Sequence, residues 1–277
     1  MEKFKGAFAG FVIGDAIGMP YEGTGITEFS EHKIRPIETT DDTEQMLILT
    51  ESILSTTYFS PEDFAFRLCR MKSPRIGPTT AEALRRLRSG VPWREAGIDS
   101  NTCGAAMRVM PIGLAYSFNL SLVESYAVAQ AVVTHRGKAA IAGSVAVAIA
   151  FACLYNGYTA EEMLKEVCRR CREYDGLMAE KIKISRERSL KELGTSILST
   201  DVVPAAFHCF LNSSSYEECV MMAIKGGGDV DTIAAIAGGL KGVELGYSEI
   251  PDKWRGFAYS ILPVAEDLYS LYLKISK

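Results

Sequence analysis

Residues 138–154 read KAAIAGSVAVAIAFACL, a run with one charge, at its first position, and otherwise small or apolar side chains. A bilayer span needs about 20 apolar residues, so this run is too short to cross a membrane. It has no polar face, which predicts a helix buried on every side and therefore the central helix of a bundle.

The sequence around that run is punctuated for helices. Ser60 precedes Pro61, Glu62 and Asp63, an N-cap followed by a proline and acids in the first turn. Phe64, Leu68 and Met71 then recur on one helical stripe. Ser121 with Glu124, Thr159 with Glu162, and Ser215 with Glu218 have capping-box spacing ahead of apolar-periodic segments. No series of alternating apolar and polar segments is joined by Asn-Gly or Asp-Gly turns, so no sheet is predicted. The fold class is all-α, a compact bundle of many helices. No Ser/Gly-rich or Pro-rich linker divides the chain, which is read as a single domain over residues 1–277. The charged segment Glu180 to Lys191 reads as a solvated helix face. The small residues, Gly and Ala above all, let helices pack closely, though no fixed-period repeat is visible.

Composition narrows the function. Thirty Lys+Arg against thirty-four Asp+Glu give a net charge of −4, so no bulk positive field exists for sequence-independent nucleic-acid binding. Seven scattered cysteines fit reduced thiols better than a disulfide framework. Cys168-x-x-Cys171 has no second pair to complete a zinc site, and reads as structural. No signal-like apolar segment follows Met1. These features lead us to expect a cytoplasmic protein with no membrane partner.

Chemistry concentrates in two acid-rich clusters at predicted helix starts. Thr39-Thr40-Asp41-Asp42-Thr43 precedes Met46, Leu49 and Ile53, and Gly226-Gly227-Gly228-Asp229-Val230-Asp231-Thr232 precedes an Ala-rich run. Either one alone is adequately explained as a helix cap. Each, however, offers two carboxylates and a threonine hydroxyl within four residues, more oxygens than a cap needs. Oxygen ligands without a thiol suit a hard cation, Mg²⁺, Mn²⁺ or Ca²⁺, and two clusters face to face can hold two metals. A third piece, Gly14-Asp15-Ala16-Ile17-Gly18-Met19-Pro20-Tyr21-Glu22, ends a helix in a tight turn that can bring Glu22 to the same place.

In this order the three pieces resemble the ADP-ribosylglycohydrolase family. The resemblance extends to Gly77-Pro78-Thr79-Thr80 ahead of a helix, to Cys103-Gly104-Ala105-Ala106-Met107-Arg108, and to Thr134-His135-Arg136. It implies an all-α fold with a two-metal centre, and a hydrolase that removes ADP-ribose from a modified acceptor by cutting the bond at the anomeric carbon of the distal ribose. Two Mg²⁺ (or Mn²⁺) are implied, held by Thr40, Asp41 and Asp42 from one side and Asp229, Asp231 and Thr232 from the other, with Asp231 bridging. Glu22 and Asp42 are the implied catalytic residues, Glu22 on a mobile loop that continues through Gly23, Thr24 and Gly25. Gly77, the segment Ser100, Asn101, Thr102, Cys103 and Gly104, and His135 are the implied substrate-binding residues, the loop holding the diphosphate through backbone N–H groups. The implied partner is ADP-ribose or an ADP-ribosylated acceptor.

The chain departs from the family pattern in three places. Thr102-Cys103-Gly104 stands where Gly-Asn-Gly is common, Val230 separates the last two aspartates where Thr is usual, and Arg75-Ile76 replaces an acid found in some relatives before Gly-Pro-Thr. Two other readings stay open at this point. One is a non-catalytic ADP-ribose-binding relative. The other is a Mg²⁺-dependent isoprenoid synthase, although Gln45 stands where an Asp-Asp-x-x-Asp motif needs its last acid.

Overall fold

The computed structural model describes residues 1–24, 34–71 and 73–277; Gly25 and His32 lie outside them. Among the described residues there is no strand, only two isolated bridges, Ile98 with His135 and Thr102 with Leu198. Helices of eight or more residues are α1 (Glu2–Gly18), α2 (Asp41–Thr56), α3 (Pro61–Leu68), α4 (Pro78–Arg88), α5 (Leu120–Val132), α6 (Lys138–Tyr155), α7 (Ala160–Cys171), α8 (Gly176–Lys183), α9 (Ser199–Leu211), α10 (Tyr216–Gly226), α11 (Val230–Leu245) and α12 (Leu262–Ile275). The fold is all-α, as the punctuation requires.

Helix α6 packs against α5, α7, α9 and α11, and every residue from Ala142 to Leu154 is buried. It runs one residue beyond the predicted stretch, and at 18 residues with a mean hydropathy of 1.8 it is long and apolar enough to cross a membrane. Length therefore does not distinguish the two possibilities. Burial does, because the bundle encloses 83% of it.

Most caps fall where the sequence places them. Ser60 accepts from Asp63 N–H, and Thr159 with Glu162 closes a reciprocal box. Ser121 is the exception. Helix α5 starts two residues earlier, capped by Asn119, whose side chain accepts from both Ser121 and Leu122 N–H. The charged stretch after Glu180 is not one helix face: α8 ends at Lys183, and Ser189 with Glu192 caps a separate short turn of helix.

The packing that builds the site is between α1 and α11. Gly6, Gly10, Gly14 and Gly18 recur every fourth residue on α1, opposite Gly242, Gly238, Ala234 and Asp231 on α11. A Cβ added at Gly6, Gly10 or Gly14 would stand 2.1, 2.3 or 2.2 Å from the facing carbonyl oxygen. Backbones can lie this close only without side chains between them. The sequence reading noted the small residues and missed their four-residue spacing, which places the C-terminal end of α1 against the first turn of α11.

Candidate metal centre and ligand cavity

Three chain segments end at one point. Helix α1 stops at Gly18, and a single 3-10 turn over Met19–Tyr21 leads to Glu22. Helix α2 begins at Asp41 with Thr40 as N-cap, the Thr40 hydroxyl accepting from Asp42 N–H at 3.2 Å. Helix α11 begins at Val230 with Asp229 at its cap position. The turn into α11 depends on Gly227 and Gly228, both in the left-handed region at φ 65° and 80°. A Cβ on Gly228 would also fall 2.0 Å from Thr195 O.

Around the junction lies a cavity of about 430 Å³ lined by Glu22, Thr40, Asp41, Asp42, Asp229, Asp231 and Thr232. One carboxylate oxygen each from Glu22, Asp229 and Asp231 lies within 4.8 Å of the others. Gathering acids here raises their proton affinity. Burial pushes Asp41 up to about 6, and burial with the charges of Asp229 and Glu22 pushes Asp231 up to about 9. Asp42 is raised well above the usual range by burial and then by Asp231. Glu22 is raised by desolvation and then by Asp229. Asp42 is 3% exposed, and among the described residues its Oδ2 has no hydrogen-bond partner. An orphaned buried carboxylate oxygen among like charges is costly, and a bound divalent cation would relieve it. The donor set, carboxylates and hydroxyls with no imidazole, fits Mg²⁺ or Mn²⁺.

Asp15 is the residue the sequence reading passed over. It is fully buried on α1, yet it accepts from the N–H groups of Thr40 (3.0 Å) and Thr43 (3.3 Å) and from the Thr43 hydroxyl (2.5 Å). One helix thus caps another, and Asp15 sets the position of Thr40, Asp41 and Asp42. A capping partner 25 residues away leaves no local spacing signal.

On the far wall the structure divides the expected ligand residues. Gly77, Thr102, Cys103, Gly104 and His135 line the cavity; Ser100 and Asn101 do not. Asn101 Oδ1 instead accepts from Ala139 N–H at the start of α6, and Ser100 Oγ sits 3.0 Å from Thr79 Oγ1. Three N–H groups of this loop are already used: Ser100 donates to Ile98 O, Thr102 to Ser100 Oγ, and Cys103 to Ile197 O. Cys103, at the departure from the family pattern, donates its thiol to Asp229 Oδ2 at 3.1 Å, a contact its sequence neighbours give no hint of. His135 is 1% exposed, and burial with the nearby Arg108 charge pushes it down to about 3. It is a neutral imidazole near neutral pH. Thr79, Thr80 and Arg75, which the sequence reading quoted without assigning them to the site, also line the cavity, Arg75 as a cation.

An all-α bundle that gathers carboxylates and threonines from two helix N-termini around one cavity defines a class of helical proteins with an acidic site that could hold a cation. Within that class, the chain belongs to the ADP-ribosylglycohydrolase family, whose model matches residues 1–275. It is 46% identical to an uncharacterized protein of Archaeoglobus fulgidus over 100% of this chain and 99% of that one. It is 26% identical to the ADP-ribosyl-[dinitrogen reductase] glycohydrolase of Rhodospirillum rubrum, covering 91% and 89% of the two chains. A solved ADP-ribosylglycohydrolase-related protein complex matches with a TM-score of 0.81 at 29% identity, over 98% of both chains.

Proposed function

We propose that this protein is a hydrolase that removes ADP-ribose from a modified acceptor by cleaving the bond at the anomeric carbon of the distal ribose. Thr40, Asp41, Asp42, Asp229, Asp231 and Thr232 would hold two Mg²⁺ or Mn²⁺. The observation that carries this reading is the convergence of the α2 and α11 N-termini with Glu22 on one cavity, with Asp42 Oδ2 left without a partner among the described residues, in a chain of this family. When bound, the metals supply charge for gripping vicinal hydroxyls and for lowering the pKa of a bound water.

The chain's own groups divide the remaining work. Glu22 is exposed at the cavity beside Asp229 and Asp231, and its raised proton affinity suits a group that takes a proton from the attacking water and passes it on. Water adds at the anomeric carbon, the acceptor leaves with a proton, and ADP-ribose is released. His135, neutral and bonded at both ring nitrogens to threonine hydroxyls, shapes the wall and takes no part in proton transfer. The diphosphate fits best against the start of α4. Among the described residues no side chain caps that helix, its first residues Pro78, Thr79 and Thr80 line the cavity, and Arg75 adds a positive charge. Most of the loop before Gly104 has its N–H groups engaged elsewhere, so it supports this wall more than it binds.

The direct test is release of free ADP-ribose from defined linkages (arginine, serine, threonine, a nucleic-acid base or phosphate, and O-acetyl) with Mg²⁺ or Mn²⁺ and with chelator. Release from at least one linkage that stops in chelator is expected. Binding of ADP-ribose with no release from any linkage would replace the hydrolase with a non-catalytic reader.

A further inference from the structure

Arg108 is fully buried, and among the described residues no carboxylate pairs with it. An unpaired guanidinium in a core is costly unless every donor is satisfied. Here neutral acceptors take four of its five N–H bonds: Nε donates to Gln130 Oε1 (2.7 Å), Nη1 to Gln45 Oε1 (2.7 Å), and Nη2 to Thr134 Oγ1 (2.7 Å) and Gln130 O (3.1 Å), while the Phe64 ring lies 5.2 Å from Cζ. Burial pushes its proton affinity down only to about 9, so it remains a cation near neutral pH.

A guanidinium can only donate, and that restriction propagates in two directions. On one side, Gln45 must turn its carbonyl to Arg108, so its amide faces Asp41, where Nε2 donates to Oδ2 at 2.8 Å. One oxygen of Asp41 is then tied and the other is left for the cavity. On the other side, Thr134 Oγ1 accepts from Arg108, and its own proton has His135 Nδ1, 2.8 Å away, to go to. With Nδ1 accepting, the ring proton sits on Nε2 and is donated to Thr102 Oγ1 at 3.0 Å. Thr102 in turn reaches Thr79 Oγ1 at 3.4 Å, at the start of α4.

We propose that Arg108 is a positioning residue that sets both walls of the cavity, orienting Asp41 through Gln45 and fixing the tautomer of His135 through Thr134. The Asp41 half rests on the metal reading above. The His135 half does not.

Nitrogen-15 NMR of the imidazoles in the full-length protein tests the second half without metal or turnover, and only three histidines need assignment. Wild type is expected to show His135 as the Nε2–H tautomer with no titration between pH 5 and 8. Thr134→Val is expected to give mixed tautomers, and Thr134→Ser, which keeps the hydroxyl, to restore one. Calorimetry with Mg²⁺ tests the first half. Gln45→Leu is expected to weaken Mg²⁺ binding about tenfold or more, the usual cost of losing a partner that orients a metal ligand. Thr134→Val should leave Mg²⁺ affinity unchanged. A purely structural role predicts lower melting temperatures with neither effect. A Thr134→Val ring still locked as Nε2–H overturns the His135 half, and unchanged Mg²⁺ affinity in Gln45→Leu overturns the Asp41 half. If wild type takes up no Mg²⁺, the metal reading fails and the tautomer result alone decides the proposal.

Discussion

Replacing Gly18 by alanine tests whether the α1–α11 contact sets the geometry of the site. The new Cβ would sit 2.5 Å from Asp231 Cα and 2.8 Å from Asp231 N, so Asp231 must retreat by about 0.9 Å to reach ordinary contact at 3.4 Å. Metal sites tolerate about 0.2 Å in ligand distance, and a misplacement near 1 Å can cost about 10²-fold in rate. Stability changes less. Overpacking costs roughly 1–3 kcal/mol, and alanine returns about 0.5–1 kcal/mol of helix propensity over glycine. Gly6→Ala is the control, because its Cβ would meet Gly242 O at 2.1 Å. Gly6 lies twelve residues, or about 18 Å of helix, from Gly18. Both variants are expected to lose similar amounts in thermal melting. Only Gly18→Ala should lose Mg²⁺ affinity, by tenfold or more in calorimetry, together with most ADP-ribose release. Wild-type Mg²⁺ binding by a folded Gly18→Ala protein would refute the claim that this contact sets the position of Asp231.

Four further outcomes are expected. Chelation should abolish ADP-ribose release and added Mg²⁺ or Mn²⁺ should restore it; full activity in excess chelator rules out the metal centre. Glu22→Gln should keep ADP-ribose and metal binding in calorimetry while single-turnover rates fall by roughly 10²-fold, the order expected for losing an acid–base group; an unchanged rate removes Glu22 from the chemistry. Asp15→Ala strands the N–H groups of Thr40 and Thr43, costing about 1–3 kcal/mol in denaturant unfolding, and should weaken Mg²⁺ binding although Asp15 is not itself among the proposed ligands. The pH dependence of the metal-free protein follows from acids raised in the fold, Asp41 to about 6 and Asp231 to about 9: between their unfolded values and these, the folded state binds more protons, so stability should fall as pH rises. Mg²⁺ affinity should rise over the same range as those protons are displaced, and a flat affinity from pH 6 to 9 would contradict the raised acids.

Local chemistry was readable from the chain because its partners lie within a turn of helix. Ser60, Thr159 and Thr40 cap the helices they precede, and the apolar run at 138–154 has no polar face to expose. The two Asp-rich segments are legible for the same reason, each being a short string of oxygens at a helix start. Asn119 took over from Ser121 as the cap of α5 because two candidate acceptors stood two residues apart, and propensity does not choose between them.

Spacing alone cannot express pairings that cross the molecule. Asp15 caps a helix 25 residues away, Cys103 meets Asp229 across the cavity, and Arg108 reaches Gln45 and Thr134 from a third segment. Ser100 and Asn101 fall behind the wall because their side chains are used to hold the loop to α4 and α6. The sequence by itself determined that the protein is helical and which oxygens could gather. The tertiary structure decided where they gather, because the glycines of α1 let its backbone lie on that of α11, bringing carboxylates some 200 positions apart in the chain to within 4.8 Å of one another.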